Sequence, residues 1–272
     1  MIKKSKLIKM ALVSIVMILS IFCSFTHDIQ AKEKEKKKET TITLPKNVLS
    51  LEKANTFPNV TEDGESIEPS KETKEMLETN KVKIDNPEVI KLLNESAINP
   101  SPVAIGYRAT IFLGRWPLAY ESEKTTITTD YQEINQNELN NQNGDSHQEL
   151  NYNQREEMEI KGALTNKIEH AATIQQMMLQ SSQQKTELPL AFSTVYGANT
   201  KLSHFYNVPK EKTGILQAYA PAVSEKGKVV FGEVYIQLKG SSKELVIKNV
   251  TKQGIGAWMP IQDHVTLHFQ TK

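Results

Sequence analysis

The apolar positions of this chain fall into three patterns, and each implies a different element. From Met10 to Thr26 they form a nearly unbroken run of 17 residues. From Val103 to Leu113 they alternate. Val103, Ile105, Tyr107, Ala109, Ile111 and Leu113 share one face, Arg108 and Thr110 the other, as in a strand. The same alternation returns where Val230, Gly232, Val234, Ile236 and Leu238 oppose Phe231, Glu233, Tyr235 and Gln237. In the third pattern, Ile168, Ala171, Ala172, Gln175, Met178 and Leu179 recur by threes and fours. That spacing predicts one long helix from about Glu169 to Gln184. Its Met177-Met178-Leu179 cluster is read as core packing rather than a Met-lined groove, since Met fills irregular gaps.

Turn and cap residues divide the remainder. Ser70 is placed to cap a helix from Lys71 to Glu78. Asn86 caps another, with Pro87 at the first helical position and Val89, Ile90, Leu92 and Leu93 inside. Asn99-Pro100-Ser101-Pro102 ends helix formation, because residues before proline are pushed to extended geometry. Thr125 to Ile134 reads as a further strand. Residues 132–154 carry 12 Asn or Gln around the turn pair Asn143-Gly144, which suggests a polar hairpin arm or a loop. Strands are predicted near 188–196, 214–222, 229–238, 244–251 and 264–270. Ser224 to Lys228 and Lys239 to Ser242 are the hairpin turns among them. The pattern predicts an α+β fold: antiparallel sheet, one long helix and short N-terminal helices.

The long apolar run has a specific context. Lys3, Lys4, Lys6 and Lys9 precede it, and Ile29-Gln30-Ala31 offers a small residue just before Lys32. That is the order of a secretory signal cut between Ala31 and Lys32. Seventeen residues also lie near the lower limit for spanning a bilayer, so an uncleaved anchor is the alternative, with membrane contact through that segment only. The expected organisation is a signal over 1–31, a charged spacer over 32–42 and a single domain over 43–272. The chain is expected outside the cytoplasm, either secreted or tethered by its N-terminus. The spacer opens with five Lys and three Glu over residues 32–39, too weakly basic for firm contact with an anionic surface.

Charge and cysteine content narrow the chemistry. Of 33 basic and 32 acidic residues, four Lys and one Asp lie in 1–31, so the mature chain carries a net charge of −2. A near-neutral chain has no global electrostatic reason to bind nucleic acid. The one cysteine, Cys23, lies in the apolar run behind Phe22, which is too large for a lipobox. Disulfides, thiolate catalysis and cysteine-ligated zinc are therefore not expected of the mature chain. Ser50-Leu51-Glu52-Lys53 and Lys212-Thr213-Gly214 match S-x-x-K and K-T-G. However, Ser50 does not open a helix, and the intervening Ser-x-Asn or Tyr-x-Asn is missing. On a strand His264 and His268 share a face but sit roughly 13 Å apart, too far for one metal ion. No cofactor, metal site or catalytic residue is expected on these grounds.

Two aromatic segments remain: Gly114-Arg115-Trp116-Pro117 after the first strand, and Gly254-Ile255-Gly256-Ala257-Trp258 before the last. Each reads as a turn whose tryptophan plugs the core. The functional alternative is an aromatic platform for sugar or peptide, built from Trp116 and Trp258 with Arg108 or Arg115 beside them. The segments Pro102 to Ile111, Trp116-Pro117-Leu118, Ala218 to Val223, Gly232 to Tyr235 and Gly254 to Trp258 resemble the YfkD-like family of secreted proteins from endospore-forming Gram-positive bacteria. The resemblance runs from about Leu44 to the end. It implies export and a single family domain, and it brings no catalytic residues. The expectation is a non-catalytic binding or structural module of the cell envelope, with a wall component or envelope protein as partner. The competing expectation is an extracytoplasmic hydrolase whose acid and base are not legible.

Overall fold

The computed structural model describes residues 42–62, 67–100 and 106–272. The segment read as a signal, with Cys23 and Ala31, then Lys32, most of the expected spacer and the Val103 to Ile105 start of the expected first strand lie outside those residues.

Two long antiparallel strands dominate. Strand β2 (Arg108–Asn140) runs 33 residues and pairs along most of its length with β8 (Thr213–Lys239), of 27 residues. The first part of β8 also pairs with β10 (His264–Thr271), whose far edge carries the short β1 (Val48–Ser50). Beyond Pro221 the second partner changes to β9 (Ser242–Pro260), joined to β8 by a tight turn at Gly240, where φ is +57°. A two-residue strand, β5 (Ala163–Leu164), closes the end of β9. Two small ribbons stand apart, β3 (Gln148–Asn153) with β7 (Lys201–Val208) and β4 (Met158–Lys161) with β6 (Ser193–Tyr196).

The expected α+β fold with one long helix is overturned. Strands take 52% of the described residues and helices 14%. The helices α1 (Lys71–Glu78), α2 (Pro87–Asn94) and α3 (Ala171–Thr186) have 8, 8 and 16 residues. At about 1.5 Å per residue α3 spans roughly 24 Å, a small element beside the strands it covers. The fold is mostly β, because segments that read as turns are strand interior. Ser224 to Lys228 is the clearest case. Gly227 leaves room for the Tyr120 ring to cross it, and a Cβ there would run into the Glu121 carbonyl and the Tyr120 hydroxyl. Glu225 turns inward, while Lys228 reaches out to Glu123 at 2.6 Å. A turn-like composition is thus absorbed into an unbroken ladder.

Three clusters of buried side chains follow one another along the sheet. Leu216, Ala218, Val265 and Leu267 pack under the ribbons with Tyr152, Ile160 and Tyr196. Val223, Val229 and Phe231 pack with Met259 and with Ile174, Met178 and Leu179 of α3. Val234, Ile236 and Leu238 pack with Met76, Val89 and Leu93 of α1 and α2. Both short helices start as their caps dictate: Ser70 Oγ accepts from the Thr73 amide at 3.2 Å, and Asn86 Oδ1 from the Glu88 amide at 2.8 Å.

The Asn/Gln-rich stretch is not a polar arm. Asn135, Asn137, Asn141 and Gln154 are buried. Asn141 Nδ2 donates to the carbonyls of Ser146 and Val208 at 2.9 and 3.1 Å, and Gln154 Nε2 to those of Ile134 and Glu156 at 3.1 and 2.8 Å. Around the register shift at Glu133/Asn135 the ladder with β8 leaves backbone groups such as the Ile134 carbonyl without strand partners. Side-chain amides, with a donor and an acceptor each, take their place.

Candidate functional site

A β-bulge between Phe112 and Gly114 decides which aromatic groups meet the arginines. Gly114 sits at φ +114°, which the bulge demands. Up to Phe112 the even-numbered residues of β2 face out; after the bulge Arg115 does. Arg108, Thr110, Phe112 and Arg115 therefore lie opposite Lys239, Gln237, Tyr235 and Glu233 of β8, and Glu233 and Tyr235 in turn lie opposite Lys248 and Val246 of β9. The other side of this sheet end is the core under α1 and α2.

This open face carries an aromatic pair. The rings of Phe112 and Tyr235 lie 5.1 Å apart, and Phe112 is 56% exposed. Lys248 Nζ sits 4.8 Å above the Tyr235 ring, and the Arg115 guanidinium 4.8 Å above that of Phe231. The Tyr235 hydroxyl donates to Glu233 at 2.7 Å. That bond and one from Asn249 hold the Glu233 carboxyl below its usual range against slight desolvation, with help from the charges of Arg115 and Lys248. Arg108, Arg115, Lys239 and Lys248 set four cations against the Glu169, Glu233 and Glu244 carboxylates here.

Both tryptophans have other places. Trp116 is half-buried against the α1/α2 core, donates to the Leu113 carbonyl at 2.9 Å and lies 5.2 Å from the His170 ring. Its neighbour Arg115 pairs with Glu169 at 3.0 Å, so together they clip the segment leading into α3. Trp258 lies within β9 rather than in a turn, half-buried and stacked on Tyr131 at 5.5 Å. Their strand neighbours on β8, Gly232 and Ser224, are eight residues apart, about 26 Å along the strand. The structure thus keeps Arg108 and Arg115 on one surface but separates the two tryptophans from each other and from it. Alternation already puts Phe112 with Arg108 and Thr110, and Tyr235 with Glu233; what it does not reveal is the bulge that brings Arg115 onto the same face. The only sequence signal was glycine at position 114.

The remaining candidates are scattered. Ser50 pairs with His264 at one end of β10, while Gly214, beside Lys212, pairs with Thr271 at the other, about 23 Å away. His264 Nδ1 lies 2.7 Å from the Gln262 carbonyl, and His268 Nε2 2.9 Å from Asp130. The group that sequence did not single out is Glu225, fully buried in the sheet and facing α3. It accepts from the hydroxyls of Tyr120 at 2.9 Å, Thr125 at 2.6 Å and Ser122. Three donors satisfy the buried carboxyl group and tie β2 to β8 at this point.

A mostly β domain with small helices on its sheet and an open basic-aromatic face is the class these features define. The YfkD-like protein family model matches residues 45–272, and the chain belongs to that family. It is 49% identical over 256 residues to the Bacillus subtilis (strain 168) protein named "Uncharacterized protein YfkD", covering 93% of this chain and 94% of that one. Among solved structures, that of "Lamprey immune protein" matches 60% of this chain and 53% of its own at 9% identity, with a TM-score of 0.26. A superposition that loose carries no argument about fold or function.

Proposed function

We propose that this chain is an exported, non-catalytic binding module of the cell envelope, cut between Ala31 and Lys32. The open face of β2, β8 and β9 is its contact surface, and the Phe112–Tyr235 pair, with Phe112 exposed and Arg108, Arg115 and Lys248 flanking it, carries the reading. Flat aromatic faces stack on the apolar faces of sugars or peptide planes, and the surrounding cations suit anionic groups. The partner is a wall polymer bearing both. The basic start, apolar run and small residue before Lys32 support export.

Co-sedimentation of the full-length chain with isolated Gram-positive cell walls tests the surface. Wild type should pellet with the walls and Phe112→Ala should remain in solution. Equal pelleting of the two would remove the face from the proposal, and release of soluble wall fragments would replace it with a hydrolase. N-terminal sequencing of protein from culture medium should begin at Lys32.

A further inference from the structure

A cleft of about 430 Å³ opens at the β2 side of the sheet, between α3 and the segment running into α2. Its position follows from three contacts. The amides of Asp85 and Asn86 donate to the Leu118 carbonyl of β2, at 2.8 and 3.1 Å, fixing the start of α2 against that strand. The Thr173 hydroxyl donates to Glu88 at 2.9 Å, fixing α3 to α2. Between these points the helices stand apart. Met177, Gln180, Ser181 and Gln184 line one wall, all from a single face of α3, and Ile84 and Ile90 line the other. The volume lies within the roughly 300–1,000 Å³ of small-ligand sites.

The polar groups of the cleft are biased toward accepting. Tyr120 lines it, and its hydroxyl proton is committed to buried Glu225. Burial, then that carboxylate, push the Tyr120 hydroxyl far above its usual range, so it stays protonated and only its lone pairs face a ligand. Asp85 is paired with Lys83 at 2.7 Å. Among the described lining residues that leaves Glu68 as the uncompensated charge. Gln180 and Gln184, one turn apart, each offer a carbonyl and an amide group, which matches the alternating groups of a peptide.

We infer that this cleft binds a short peptide bearing a primary amine. The ammonium is held by Glu68 with the Tyr120 oxygen, the peptide groups by Gln180 and Gln184, and the alkyl stem by Ile90 and Met177. The site shares no residue with the open sheet face, so it stands independently of the function proposed above.

Calorimetric titration of the full-length chain with acetyl-Gly-Lys-Gly-amide, and with the same peptide acetylated on the lysine amine, tests the inference. The free amine should bind, and acetylation should weaken it about tenfold or more, the scale of one charge-assisted hydrogen bond. Glu68→Gln, on an exposed side chain, should cause the same loss without changing the melting temperature. Phe112→Ala should leave peptide binding intact. Equal binding of both peptides, no binding of either, or unchanged affinity in Glu68→Gln would each overturn it.

Discussion

One face of β8 runs through two opposite environments. From Val223 to Phe231 it lies under α3 and its neighbouring strands, with Glu225 fully buried in the middle. From Glu233 to Lys239 the same face continues with no helix over it, and Phe112 stands exposed beside Tyr235. In the covered half a single carboxylate recruits three hydroxyls and a glycine, since an unmatched buried charge would cost several kcal/mol. In the open half Glu233 keeps a tyrosine hydroxyl, a bond from Asn249 and two nearby cations, and Phe112 faces water beside half-buried Tyr235. Polar groups in the first half serve folding. Apolar groups in the second, having no folding role, are those available for a partner.

The largest effect should come from breaking the covered half. Glu225→Ala strands three hydroxyl donors and opens a void, and urea denaturation should show a loss of about 3–5 kcal/mol. Gly227→Ala forces a Cβ against the Glu121 carbonyl and Tyr120 hydroxyl. It should cost about 2–3 kcal/mol, since the backbone oxygen cannot give way. Trp258→Ala should cost about 2 kcal/mol, below the usual loss for a core tryptophan because the ring is half-buried on Tyr131. Sensitivity equal to that of wild type in Glu225→Ala would erase the distinction between the halves.

The open half should respond in binding and not in stability. Phe112→Ala should change unfolding free energy by no more than about 0.5 kcal/mol, while wall pelleting falls. The smallest effect is a titration. Tyr235→Phe removes the main donor to Glu233, so the midpoint of that carboxyl, followed by NMR, should rise toward its ordinary value. A depressed carboxyl contributes stability above its unfolded value that is lost as pH falls through the folded one. Tyr235→Phe should therefore remove a little stability at neutral pH, where the carboxylate is charged, and the difference from wild type should vanish as pH falls through the folded midpoint.

Short-range features were legible in the residues. Ser70 and Asn86 cap helices two or three residues away, Gly240 turns a hairpin, and Ala109, Ile111 and Leu113 face the core as their alternation requires. Each depends on contacts within a few positions, so local chemistry determines it. Family membership was also legible, from distinctive segments, and the family model confirms it over 45–272.

Other features were decided only by partners far along the chain. Ser224 to Lys228 resembles a turn until Tyr120, Ser122 and Thr125, roughly a hundred positions away, supply what Glu225 needs inside a strand. Asn135 and Gln154 resemble loop residues until the tertiary structure presents them with the carbonyls of Asn153 and Ile134. The bulge at Gly114 reverses the facing of Arg115 and Trp116, putting Arg115 beside Glu233 and Trp116 half-buried against the core. Strand alternation carries no record of such a one-residue insertion, because the extra residue is fixed by register with β8 and not by its own neighbours.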